Sequence, residues 1–173
     1  MKSVLISIRP IWCELIAQGR KTLEVRRTRP KLEAPFKVYI YCTKEKSSTR
    51  FTEQKRGKVI GEFICDHIRR FDVPYPAYQN ELDKEILSAA CVTYDMLHRY
   101  AYHDDLYGWH ISNLKIYDNP LSLNSFMCCC PEQEISCFFC DFFKRDANGF
   151  GFCENKVQRP PQDWRYIEEG ART

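Results

Sequence analysis

The chain has no apolar run long enough to cross a bilayer as a helix. Its opening stretch, Met1 to Arg9, holds too short a hydrophobic core for a signal peptide. No internal repeat is visible. These absences point to a cytoplasmic protein with no membrane partner. Strong charge of one sign is also missing. A formal net charge of +3 cannot by itself imply nucleic acid. In a reducing compartment ten cysteines do not form a disulfide framework, so they are free thiols, metal ligands or both.

What is present suffices for a folded domain. A length of 173 residues is a prior for one domain, with room for an appendage. Hydrophobic residues make up 44%, enough for a packed core, and charged residues 28%. The basic residues are unevenly spread. Arg20, Lys21, Arg26, Arg27, Arg29, Lys31 and Lys37 crowd one stretch against only Glu24 and Glu33. Such a run reads either as a solvated face or as a positive patch beside a cleft.

The densest information lies in Gly19 to Arg26. Pro10 suits a first helical turn, where its missing N–H costs nothing. Ile11, Leu15 and Ile16 give the apolar face of a short helix over Pro10 to Gln18, and Gly19 is placed to end it. Thr22 to Arg27 then alternates as a strand. Leu23 and Val25 share one face, while Thr22, Glu24 and Arg26 share the other. Lys21 stands at the mouth of that strand.

Gly19-x-Lys21-x-x-Glu24-x-Arg26 resembles the G-x-K-x-x-E-x-R signature of the ASCH domain, a small β-barrel of the PUA-like superfamily. The preceding strand, Ser3 to Ile8, and the helix opened by Arg9-Pro10 fit the same pattern. Lys58 to Phe63 and Tyr107 to Ile111 resemble two later strands of the family. The resemblance implies a mixed α/β, mainly β fold: a PUA-like barrel decorated by short helices.

Further along, Phe36 to Thr43 and Gly57 to Asp66 read as strands, separated by a polar loop over Lys44 to Arg56. Asn80 to Cys91 has helical spacing in Leu82, Ile86, Leu87 and Ala90. Thr93 is placed to cap a second helix carrying Met96, Leu97 and Tyr100. Leu106 to Tyr117 resumes strand character, and Asn119-Pro120 reads as a turn. Arg165 to Glu168 alternates like a strand returning beside Val4 to Ile8. The chain thus divides into a barrel over 1–126, a cysteine-rich insertion over 127–158, and a closing strand with tail over 159–173.

The insertion carries six of the ten cysteines. Cys137 and Cys140 form a C-x-x-C knuckle that can give two zinc ligands from one turn. Cys128 and Cys130, from a run of three, and Cys153 are candidates for the rest. A structural zinc would order a segment too short to bury a core of its own. The alternative is a set of free thiols in a hydrophobic flap, which could also serve as a docking surface for a protein partner.

The resemblance implies a cleft beside the signature that binds single-stranded RNA or a modified nucleoside. Lys21, Arg26 and Arg27 can meet phosphates, with Arg29 nearby. Glu24 can accept from an exocyclic amine. Trp12, Tyr107 or Trp109 can offer a stacking face. One ASCH branch comprises amidohydrolases acting on acetylated cytidine. They use a lysine at the Lys21 position as base and a threonine nucleophile where this chain has Glu24. That nucleophile is missing here. Thr22 is displaced by two residues, and Glu81 or Glu85 would have to supply the carboxylate. A ribonuclease with Lys21 as general base is a further alternative, as is the metal-assisted nuclease that the resemblance also implies, for which Glu24, Glu62 and His110 are the candidate groups near the cleft. Enzyme status stays open at this level.

Overall fold

The computed structural model describes residues 2–46, 53–102, 104–129, 143–149 and 151–168. The fold is mixed α/β and mainly strands. A six-stranded sheet has the order β7-β4-β3-β1-β11-β8. Its strands are β1 (Lys2–Ile8), β3 (Phe36–Cys42), β4 (Val59–Cys65), β7 (Ser112–Leu121), β8 (Met127–Cys128) and β11 (Trp164–Glu168). A three-stranded sheet has the order β2-β6-β5, from β2 (Leu23–Arg26), β5 (Ile68–Phe71) and β6 (Leu106–His110). A separate hairpin pairs β9 (Phe143–Arg145) with β10 (Gly151–Cys153). Among the described residues the strands form these sheets rather than one closed barrel.

The sheets are linked by continuous chain at one corner. Strand β4 leaves the large sheet, passes through Asp66 and His67, and enters the small sheet as β5. Strand β6 leaves the small sheet through Ile111 and enters the large one as β7. The expected single strand over Leu106 to Tyr117 is therefore two strands bent at Ile111. Strand β7 also continues through Asn119 and Pro120, where a turn was expected. It is an edge strand, where a proline's missing N–H removes no ladder bond.

Strand β1 is buried from Ser3 through Ile8 because both its faces are covered. Val4, Ile6 and Ile8 meet Val38, Ile40, Cys42, Ile60, Phe63 and Trp109 between the sheets. Leu5 points the other way, into a second cluster with Tyr39, Tyr41, Val59, Phe126, Val157 and Ile167. Parallel pairing of β1 with β3 fits this continuous apolar run. As the sequence suggests, β11 returns antiparallel beside β1, with Leu5 opposite Arg165.

The expected helix near the start is α1 (Pro10–Ala17). Gly19 follows its C-cap at φ 69°, a left-handed conformation that glycine adopts without a Cβ penalty. Helices α2 (Lys84–Ala90) and α3 (Tyr94–Ala101) cover the outer face of the small sheet, packing Ile86, Ala90, Leu97 and Ala101 on Leu23, Phe71 and Leu106. Asp83 caps α2 through the Glu85 N–H, and Thr93 caps α3 through the Met96 N–H. Helix α2 starts later than expected, because residues Pro76–Glu81 form a separate 3-10 turn. No described helix is long and apolar enough to cross a membrane.

Candidate functional site

Between α1, β2, α3 and the segment entering β11 lies a cleft of ≈ 810 Å³. The sheet pleat explains why the signature residues reach it. Glu24 stands opposite Trp109 in the β2–β6 ladder, so both side chains leave the face turned toward the large sheet. Arg26, two residues on, shares that face. Five basic side chains, Arg9, Lys21, Arg26, Arg27 and Arg99, line the cleft against the acidic Glu24, Glu45 and Asp163. Trp12, Val92, Met96, Leu97 and Tyr100 supply apolar and aromatic wall.

Lys21 is only 3% exposed. Its Nζ donates to the carbonyls of Leu23 at 2.9 Å and Ala90 at 2.8 Å. Ala90 is the last residue of α2, whose terminal carbonyls lack partners inside the helix. The ammonium thus caps α2 and favours its negative end. It also lies 3.4 Å from Glu24 Oε2 and 5.3 Å from the centre of the Trp12 ring.

Arg26 binds three groups from three parts of the chain. Its guanidinium meets Glu24 Oε1 at 3.0 Å, Asp163 Oδ1 at 2.5 Å and the Ser7 carbonyl at 2.6 Å. Burial alone would pull the Arg26 pKa down, but Glu24 and Asp163 outweigh it and raise it above its ordinary value. Thr28 Oγ1 donates to Asp163 Oδ2 at 3.3 Å and accepts from Trp164 Nε1 at 2.9 Å.

Two atoms of this network are left over. Glu24 Oε2 is buried and accepts no hydrogen bond, despite its ionic contact with Lys21. Arg26 Nε is likewise buried without an acceptor. A buried polar atom without a partner costs free energy, about 1–3 kcal/mol and more for a charged group. A water, an ion or a ligand can supply the missing partner of such an atom.

The structure therefore brings Lys21, Glu24, Arg26, Arg27 and Trp12 to one cleft. It separates the other two aromatic candidates from it. Trp109 is fully buried because β6 is the middle strand of its sheet, and its ring packs edge-on against Phe36 and Trp164. It offers no stacking face. Tyr107 packs on the main core and lies beside Arg29, outside the cleft wall. The expected phosphate role also shifts. Lys21 and Arg26 are engaged internally, whereas Arg27 is exposed, donating to the Tyr100 carbonyl at 2.7 Å with its guanidinium over the Tyr100 ring.

Other candidates lie elsewhere. Thr22 and Glu85 are exposed and outside the cleft lining. Glu62 pairs with the Tyr117 hydroxyl and lies 4.0 Å from Lys37 Nζ, outside the cleft lining. His110 pairs with Asp66, away from the cleft lining. Of the cysteine set, Cys130, Cys137 and Cys140 lie outside the described residues. Cys128 is half-buried in β8, and Cys153 ends β10. Sequence reasoning missed Asp163, Ser7 and Tyr100, because each reaches the cleft through long-range packing. The opposite charges of Arg26 and Asp163 were visible, but their distance in sequence hid the pairing.

No family model and no curated protein matches the chain. Its structure is similar to solved structures of ASCH from Zymomonas mobilis. The unsubstituted protein aligns with a TM-score of 0.59 at 19% identity, over 96% of this chain and 88% of that one. A single-residue mutant of it gives the same score and identity over 98% of this chain and 92% of that one. The likeness covers nearly the whole chain, so the chain has the ASCH fold.

Proposed function

We propose that the cleft binds a nucleobase, presented by single-stranded RNA or as a modified nucleoside. The observation that carries this reading is the unbonded Glu24 Oε2, a buried acceptor at the cleft wall. An exocyclic amine supplies the donor it lacks. Lys21 and Arg26 hold the carboxylate in place from either side, and the side chains covering Oε2 part when the base arrives. Trp12 and Tyr100 form the aromatic wall, and Arg9, Arg27 and Arg99 face the phosphates.

This arrangement supports a reader more than an enzyme. A general base must offer a lone pair, and Lys21 Nζ is directing its protons at two carbonyls. The threonine nucleophile of the amidohydrolase branch is replaced by Glu24 at its own position, and of the two aliphatic hydroxyls in the cleft lining Ser7 donates to the Pro161 carbonyl while Thr43 directly follows β3. A titration of short single-stranded RNAs and modified nucleosides tests the reading, with wild type, Glu24→Gln and Arg27→Ala. Loss of base discrimination in Glu24→Gln, and a shallower salt dependence in Arg27→Ala, support it. Absence of binding by folded wild type overturns it. Ligand recovered intact marks a reader, and ligand recovered cleaved marks an active site.

We further propose that the cysteine-rich segment holds a structural zinc through Cys137 and Cys140, with the other two of its four ligands drawn from Cys128, Cys130 and Cys153. The zinc content of purified wild type against Cys137→Ser/Cys140→Ser tests this.

A further inference from the structure

At the corner where both strands pass between sheets, three side chains converge. Asp66 Oδ1 lies 2.9 Å from His67 Nδ1 and 2.7 Å from His110 Nδ1. The two imidazoles stack with centroids 4.6 Å apart and planes 21° apart. The backbone fixes their approach, since the His110 N–H donates to the His67 carbonyl at 3.1 Å. We propose that Asp66, His67 and His110 form a binding site for a divalent transition metal of the zinc type.

The donor set carries the choice of metal. Two imidazole nitrogens and one carboxylate oxygen suit zinc and its neighbours rather than magnesium or calcium, which prefer all-oxygen shells. The geometry is close to what the ion requires. Ligand atoms about 2.0–2.1 Å from a tetrahedral zinc stand about 3.3 Å from one another. Here all three donor atoms lie within 4.8 Å of each other, and the two measured pairs need to open by only about half an ångström.

The present contacts suggest what the metal replaces. A single carboxylate oxygen faces two Nδ1 atoms, so both rings must carry a proton on that nitrogen to bond it. An ion at the centre takes the place of those protons and binds all three groups through the same atoms. The site is open: Asp66 and His67 are exposed, and His110 is partly so. An ion can enter without rearrangement of the core, and water completes its coordination.

The location gives the ion a structural task. Asp66 and His67 join β4 to β5, and His110 ends β6 just before the bend into β7. His110 is also the register partner of Leu23, one residue before Glu24. A bound metal would cross-link both crossing points and brace the strand that carries the cleft carboxylate. The site shares no residue with the cleft lining, so it stands whether or not the cleft binds a base.

Zinc titrated to saturation into the full chain tests the proposal. Wild type is expected to bind one more zinc per chain than His67→Gln/His110→Gln, whatever the cysteines bind in both. Equal stoichiometry in the two folded proteins overturns it. Should the double variant fail to fold, imidazole NMR of wild type decides. Shifts of both the His67 and His110 ring resonances on zinc addition support the site, and unmoved resonances overturn it.

Discussion

Arg26 and Asp163, 137 positions apart in the chain, meet in an ion pair of 2.5 Å at the floor of the cleft. Arg26 comes from β2 in the small sheet, and Asp163 directly precedes β11 in the large one. The pair ties the two sheets across the space between them. Asp163→Asn should therefore loosen the cleft while leaving both sheets folded. The buried guanidinium loses one of its two carboxylates, and the amide retains a weaker contact. The expected cost is about 1–3 kcal/mol, the usual range for a hydrogen bond to a charged group, read by urea denaturation.

Lys21 should behave first as a structural residue. Lys21→Met removes the ammonium but leaves the Ala90 and Leu23 carbonyls and Glu24 buried around an apolar chain. Breaking a buried charge pair in this way costs about 3–5 kcal/mol. The loss should appear in denaturant midpoint before any ligand is added. An unchanged midpoint would show that the ammonium contributes nothing to α2.

Gly61 admits no side chain. A Cβ there would lie 2.4 Å from the Lys115 carbonyl oxygen, a backbone atom of the neighbouring strand β7. The β4–β7 ladder must shift to accept even alanine. Gly61→Ala should destabilise the chain by about 2 kcal/mol or more, in the range of overpacked cores. Thermal melting of Gly61→Ala against wild type reads the loss, and an unchanged melting temperature would show that the β4–β7 ladder yields without cost.

The described cysteines should divide by reactivity. Cys13 is fully buried, and burial followed by its neighbour Cys42 pushes its thiol well above the ordinary 9.0. In the native state it should resist iodoacetamide at pH 8 and remain protonated as pH rises past 9. The unfolded thiol ionises there while the native one does not. Through Cys13 alone, native stability therefore falls with rising pH above that point. Cys91 and Cys128 are only partly buried and should be labelled before Cys13. Mass spectrometry of peptides after timed alkylation reads the order.

The local architecture of the site was legible in the sequence. Pro10, Gly19 and the alternation of Leu23 and Val25 with Glu24 and Arg26 fix helix, stop and strand through short-range rules. The return of Arg165 to Glu168 beside β1 was legible for the same reason. Partners of these residues were not. Whether Trp109 stacks on a ligand or fills the core depends on β6 having neighbours on both sides, which no local pattern records. The bend at Ile111 was hidden because residues on both sides of it have equal strand character. The pairing of Lys21 with Ala90 was hidden because a helix C-terminus declares no particular donor.

That last contact has an evolutionary consequence. The lysine of the signature holds a helix end, and the arginine holds two sheets together through Asp163. Selection for a foldable chain alone would then preserve both, whatever the cleft does. Presence of the motif in a related sequence testifies to architecture. Under the proposed function, the cleft-lining residues outside the motif, Trp12, Arg27, Arg99 and Tyr100, are the ones whose variation would trace changes of ligand.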